Sequence, residues 1–524
     1  SGGTLRILTD FPASIEPADY QSPTDMTNDG LVTFRKVGGS IGTELVPDLA
    51  TTIPSPEDGG RTYTFQLREG VRYSDGDVVK PADVRHSLER VFKLARFNLN
   101  LLPLEGLVGA RRCLRNPGTC DLSRGVVADA KDYTVTFHLT RADPEFLFKL
   151  ASHSGTVLPS NTPPRPARRR PLPASGPYEI ARFSSGRELV LERNPRFREW
   201  SRAAQPRGYP DRIVLGPAVP RAHAVAAVID GRADLLTLGF FASLPAEQQR
   251  RLSTQHADQV RLSPLPVPYY LFLNTRVPPF DDVRARRAVA YAVDRGAMAG
   301  LTGGSQFAQP TCQVVPPNFP GYRPYCPYTT NSTATGLWTA PDLTRARALV
   351  AASRTRGAHV SISVPRRFAT LARRALADLR RIGYRASLRI FPDYSAYLFY
   401  FADSRHRAEA AVQAYGPDYP AASTFFRQFT CQSFVPASAT AENENLSEFC
   451  EPSIDRMIER ARELQVMDPP AANALWSRID RAIVDAAPVV PLYVPKAFDL
   501  VSKRAGNYEY SPQYGALIDQ LWVR

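Results

Sequence analysis

Residues 268–295, PYYLFLNTRVPPFDDVRARRAVAYAVDR, constrain the fold more than any other stretch of the chain. Tyr269-Tyr270-Leu271-Phe272-Leu273 is apolar throughout, which suits a strand buried on both faces. Asn274-Thr275 and Pro278-Pro279 end it, because proline supplies no N–H to a sheet ladder. Asp281 and Asp282 then precede an apolar periodic run, where carboxylates cap a helix and meet the positive end of its dipole. Val283, Arg287, Tyr291 and Arg295 fall at helical spacing, and Ala288, Val289, Ala292 and Val293 widen the apolar side. A buried strand, a turn and a core helix predict an α/β protein, and nearly any α/β protein could own such a segment.

The chain is 524 residues long, too long for one hydrophobic core, so two or three domains are expected. Tyr63, Phe65 and Leu67 alternate with polar residues, as do Tyr133, Val135, Phe137 and Leu139, which is the period of half-buried strands. Pro81 stands in the first turn of a helix with Val84, Leu88, Val91 and Phe92 as its stripe. Residues 163–173, dense in proline and arginine, read as a linker. Helices over 343–352 and 368–382 alternate with strands over 360–364 and 387–390, which predicts a second α/β lobe. Helices over 454–464 and 471–485 and a last strand at 489–494 close the pattern.

Hydrophobic residues make up 43% and charged residues 22%, as in a soluble globular chain. No window approaches the eighteen or so apolar residues of a membrane span. The chain begins Ser-Gly-Gly-Thr-Leu without a leader pattern, so it reads as cytosolic or as a mature form. Net charge is +14, with arginine far outnumbering lysine, and the arginines read as scattered, Arg165, Arg168, Arg169 and Arg170 supplying part of the excess. No aromatic-and-basic repeat, finger or other nucleic-acid reader accompanies them, so no nucleic acid is expected. A basic body near an anionic cell surface, or simple compositional drift, is the reading preferred over nucleic acid.

Six cysteines fall as three local pairs, Cys113/Cys120, Cys312/Cys326 and Cys431/Cys450, each in a polar, Pro- or Asn-rich segment. Fifteen pairings are formally open. The spacing lacks Cys-x-x-Cys, so zinc and thioredoxin chemistry are unsupported, and three short-loop disulfides in an oxidising, extracytoplasmic setting are expected over six reduced thiols. There is no phosphate loop, nucleophile elbow or His-Glu-x-x-His, and the seven histidines are dispersed. No enzyme activity, metal or cofactor is expected.

The opening segment resembles the family 5 extracellular solute-binding proteins, the dipeptide and oligopeptide receptors of bacterial ABC importers. Asn274-Thr275, Pro278 to Arg284, Arg286 and Asp294-Arg295 carry the likeness. A second block is nearly as specific: Tyr63-Thr64-Phe65, Leu67-Arg68, Ser74-Asp75-Gly76, Asp83-Val84, Ser87-Leu88 and Arg90. Gly176-Pro177-Tyr178 and the Gly231 to Asp234 turn continue it, and Glu16 stands where relatives usually have aspartate before proline.

This resemblance implies a two-lobed periplasmic-binding-protein-like α/β fold with an inserted domain. Lobe I would take residues 1–43, 174–267 and 490–524, the inserted domain 44–173 and lobe II 268–489. It implies a monomer outside the cytoplasm, at the cell surface or in the periplasm, lipid-anchored through a residue before Ser1. A short peptide would be held in the cleft between the lobes and passed to an ABC permease. An oligosaccharide or metal chelate is the alternative ligand, and an extracellular hydrolase a more distant one.

Ala414-Tyr415-Gly416-Pro417-Asp418-Tyr419 follows an alternating apolar stretch, so it lies at a strand's end. It resembles the Gly-Trp-x-x-Asp-Tyr segment of peptide receptors, whose aspartate binds the ligand's ammonium while the adjoining backbone pairs with the peptide. By that likeness Asp418 and Tyr419, with Tyr415 and Gly416, are the leading ligand residues, although Ala414 and Tyr415 replace the usual glycine and tryptophan. A turn in which Asp418 only satisfies backbone N–H groups is the plain alternative. Arg405 or Arg407 is a candidate for the ligand carboxylate, with a solvated loop as the plain alternative, and Tyr20, Ser22, Tyr269 and Tyr270 are further candidates whose aromatic rings could equally be core.

Overall fold

A computed structural model describes residues 2–10, 14–19, 22–94, 104–239, 244–333, 335–436 and 443–524. The chain forms two compact units, residues 1–243, 258–261 and 499–524 in the first, and 244–257 and 262–498 in the second.

The first unit is built on the strand Thr4–Thr9. It pairs in parallel with Arg212–Pro217, Leu5 opposite Ile213, and with Leu235–Leu236, Ile7 opposite Leu235. Glu188–Arg193 and Tyr178–Ser184 extend the sheet antiparallel. Leu5, Ile7, Leu189, Leu191, Ile213 and Leu215 bury its core. A separate three-stranded sheet, Thr62–Gln66, Thr134–His138 and Val126–Asp129, carries the two alternating segments seen in the sequence. Pro81 does open the helix Pro81–Lys93, and Asp83 Oδ2 accepts the Lys80 N–H at 2.9 Å, closing its first turn.

Residues 163–173 are not a free linker. The buried Arg90 guanidinium donates to the carbonyls of Pro163 and Arg165, and grips Glu16 with both of its terminal nitrogens at 2.6 and 2.8 Å. Glu16 Oε2 also accepts the Ala167 N–H at 2.9 Å. Elsewhere in this unit the buried Lys36 ammonium pairs with Asp519 at 3.0 Å and donates to Gln205 Oε1 at 2.8 Å, tying the end of the chain to its beginning.

In the second unit the strand Tyr269–Leu273 is central, as its composition predicts. The strand order is Arg385–Phe391, His359–Pro365, Ala410–Ala414, Tyr269–Leu273 and Val489–Val501. The first three of these run parallel, and Tyr269–Leu273 is antiparallel to both of its neighbours. Leu271 and Leu273 face one core with the helices Val283–Ala292, Leu343–Ala352 and Ala369–Arg381. Tyr270 and Phe272 face another with Pro452–Met467 and Pro469–Ala486. A strand walled by helices on both sides has no polar face, hence the unbroken apolar run.

One detail departs from the expected helix. Asp282 caps it as read, its carboxylate accepting the Arg284 N–H at 2.7 Å. The helix stops at Ala292, however, and Val293 is extended. Asp294 then caps a second helix, Arg295–Gly300, by accepting the Ala297 N–H. Arg295 is fully buried and donates to the carbonyls of Thr311, Pro491 and Ala290. The final strand also outruns its expected end, reaching Val501.

All three disulfides form in the expected pairs, Cys113–Cys120, Cys312–Cys326 and Cys431–Cys450.

Candidate functional site

The strand Ala410–Ala414 is positioned by its neighbours on both sides, Ala414 lying opposite Tyr269. The chain leaves the sheet there. Tyr415 N–H donates to the Pro268 carbonyl at 3.1 Å and fixes the exit. Pro417 and Pro420 keep the next residues out of any ladder, because neither has an N–H to give. The backbone groups of Gly416 and Asp418 have no partner among the described residues. A Cβ on Gly416 would meet only Val267 at 3.5 Å, an ordinary contact, so space alone does not require glycine there.

Asp418 emerges from this segment exposed, between the buried Ala414 and Tyr419. Its Oδ2 lies 3.1 Å from Arg427 Nη2. Arg427 follows the short helix Ala422–Phe426, whose buried Phe425 and Phe426 anchor it in the core. The same guanidinium meets Glu444, Nε to Oε2 at 2.7 Å. Two carboxylates therefore flank one guanidinium. Burial opposes the charge on Arg427, but Tyr415, Glu444, Asp418 and Tyr419 outweigh it and raise its pKa.

Tyr415 is half-buried, its hydroxyl donating to the Thr424 carbonyl at 3.0 Å and its ring edge-on to Phe425. Burial pushes its phenol pKa up. Tyr269 is half-buried too, stacked on Tyr493 with ring centres 4.7 Å apart and edge-on to Phe368. Asp418, Tyr415, Gly416, Tyr419 and Tyr269 thus sit on one strand end and the adjoining strand of the second unit.

The remaining candidates lie elsewhere. Tyr270 is a core residue: it is fully buried and its hydroxyl donates to the Val314 carbonyl at 2.5 Å. Period-two alternation explains this, since adjacent strand residues face opposite sides. Arg405 is committed locally to Asp403, Nε lying 2.9 and 3.0 Å from its two oxygens. Those hydrogen bonds hold the Asp403 carboxyl down at about 2. Ser22 belongs to the first unit, where it is buried and its N–H donates to Asp19. Tyr20 lies outside the described residues.

Arg427 and Glu444 are residues that the sequence reading did not single out. Neither sits in a motif, and Glu444 lies in the segment that the Cys431–Cys450 disulfide closes. Among the described residues no group of three or more His, Cys, Asp or Glu could hold a metal ion.

The fold agrees with that of known proteins. Residues 44–435 match the model of the bacterial extracellular solute-binding proteins, family 5. The chain belongs to that family. It is 23% identical to the di/tripeptide-binding protein 2 of Pseudomonas aeruginosa, over 97% of this chain and 93% of that protein. It is 24% identical to the dipeptide-binding protein of Escherichia coli, over 96% and 91%. Among solved structures it resembles the clavulanic acid biosynthesis oligopeptide binding protein 2, with a TM-score of 0.84, 26% identity and coverage of 100% and 95%. No described helix is long and apolar enough to cross a membrane.

Proposed function

We propose that this protein captures a short peptide by its free ammonium end at Asp418 and delivers it to an ABC importer. The observation that carries this reading is an exposed carboxylate at the end of a central strand, next to backbone groups at Gly416 and Asp418 that carry no partner among the described residues. A peptide in extended form needs both features, a counter-charge for its terminus and free amide groups for its backbone. Relatives named as di- and tripeptide-binding proteins support the same chemistry. So does a Helicobacter pylori ABC transporter-associated binding protein solved with the peptide STSA, 21% identical with a TM-score of 0.69.

In this proposal Tyr415, Gly416, Tyr419 and Tyr269 line the peptide's path. Arg405 would reach a ligand only by giving up Asp403. The protein acts by binding alone, without turnover, as a monomer held at the membrane through a lipid on a residue before Ser1. Its domains are those the sequence suggests: 1–43, 174–267 and 490–524; 44–173; and 268–489.

One observation favours a second reading. Arg427 already neutralises Asp418, which leaves room for an uncharged solute such as an oligosaccharide, or for a metal chelate. Thermal-shift screening against peptides, sugars and chelates separates the two, because a ligand raises the melting temperature by mass action. Stabilisation by peptides with free amino termini supports the first. Stabilisation by sugars or chelates alone supports the second.

A further inference from the structure

The positive charge is not scattered. Between residues 345 and 389 there are twelve arginines and one acidic residue, Asp378, so this stretch carries +11 of the chain's net +14. It comprises most of Leu343–Ala352, the strands His359–Pro365 and Arg385–Phe391, and the helix Ala369–Arg381. Asp378 is fully buried and is already bound by Arg374 and Arg381.

Several of these arginines gather at one end of the sheet. Gly357 N–H donates to the Gly383 carbonyl at 2.8 Å, and Arg385 N–H to the Ala358 carbonyl at 2.9 Å, so two turns abut. Arg347 Nε donates to the Arg381 carbonyl and Arg380 to the Ala386 carbonyl, which gives those two a structural role at helix ends. The guanidinium groups of Arg354, Arg356 and Arg385 are different. All three residues are exposed, and none has a hydrogen bond or ion pair from its side chain among the described residues. Asp282, whose charge reaches Tyr384 beside them, is itself taken by Arg284.

This end is remote from the candidate ligand site. His359 and Arg385 open strands that run parallel to Ala410–Ala414, and Asp418 follows the far end of that strand. A ligand at Asp418 therefore does not account for the arginines.

We propose that the turns carrying Arg354, Arg356 and Arg385 form a docking face for an anionic phospholipid surface. Guanidinium forks match phosphate oxygens two at a time, which suits arginine better than lysine. Unpaired cations presented on adjoining exposed turns meet a plane of phosphates without rearrangement, and they keep their attraction only within a Debye length of it. An extracellular binding protein that serves a membrane permease gains by being held there.

Co-sedimentation of the full chain with vesicles tests this. Binding is expected to an equal mixture of phosphatidylcholine and phosphatidylglycerol and not to phosphatidylcholine alone, and it should fall steeply as salt rises. The triple variant Arg354→Gln, Arg356→Gln, Arg385→Gln should bind roughly a hundredfold more weakly, while the same three positions changed to Lys should retain most of the binding. Arg165→Gln, Arg168→Gln, Arg169→Gln removes the same charge from the first unit and should change little. Melting curves of all variants show that each is folded. Three results overturn the proposal: no binding of the wild type to phosphatidylglycerol vesicles at low salt, equal loss in both glutamine triples, or tighter binding to a DNA duplex than to vesicles at the same salt.

Discussion

Arg427 lies between Asp418 and Glu444, 3.1 Å from one carboxylate and 2.7 Å from the other. Each member is more than a third exposed, so water screens the pair and it contributes little to stability. Its consequence is for binding, because a ligand ammonium at Asp418 must share that carboxylate with a resident guanidinium.

Arg427→Gln frees Asp418. Peptide affinity measured by calorimetry should rise by up to about fivefold, the worth of one exposed ion pair. A fall in affinity would instead place Arg427 itself on the ligand.

Tyr270 and Tyr269 should separate cleanly. Tyr270→Phe leaves the Val314 carbonyl without its donor in a closed core and should cost about 1–2 kcal/mol in chemical denaturation. Peptide affinity should not change. Tyr269→Ala removes a half-exposed ring beside Ala414 and should weaken binding if the peptide runs along this strand end.

Stability should fall as pH rises through the weakly acidic range. Burial raises the Asp480 carboxyl to about 7, against hydrogen bonds from the Val314 N–H and the Gln313 amide. Burial likewise raises Asp499 to about 6. Both groups hold a proton in the folded chain that the unfolded chain has lost. Each therefore lowers the unfolding free energy by about 1.4 kcal/mol per pH unit between its unfolded and folded pKa. Urea denaturation at about pH 4 and about pH 7 should show the decline, and Asp480→Asn should flatten its upper part.

The disulfides should rank by loop length. Cys431–Cys450 closes a separation of 19 residues and Cys113–Cys120 one of 7. Replacing the first pair by serines should cost about 0.9 kcal/mol more than replacing the second, if loop-closure entropy dominates. Equal losses would assign the effect to local packing.

Much of this fold is legible in the sequence, for identifiable reasons. The run Tyr269–Leu273 suits a strand buried on both faces, because it is apolar throughout and short, and Asp282 could cap the helix after it because local capping needs no tertiary partner. Asp294 shows the limit. Periodicity carried the helix on to Arg295, yet a second aspartate could end one helix and start another, and burial of the Arg295 guanidinium among three carbonyls decided between them. The segment 163–173 looked like a linker because its composition is that of a linker. What holds it, Arg90 and Glu16, lies about 75 and 150 residues away, beyond any local pattern. Asp418 could be singled out by its segment, but its partner Arg427 could not, because a pair formed by the turn of a short helix leaves no periodic trace. The arginines of residues 345–389 were in plain view. Only the abutment of the turns at Gly357 and Gly383 makes a face of them.

The central claim is that Asp418 anchors a ligand ammonium. Asp418→Asn keeps the size and much of the hydrogen bonding while removing the charge, and an exposed side chain of this kind contributes little to folding. Calorimetric binding of one short peptide and its N-acetylated form to wild type and Asp418→Asn is the direct measurement. The wild type should bind the free peptide and reject the acetylated one, and, if the bound peptide shuts water out from Asp418, the variant should lose about 2–5 kcal/mol for the free peptide and discriminate far less. Equal affinities of both forms for both proteins would contradict the account and leave Asp418 as the partner of Arg427 alone.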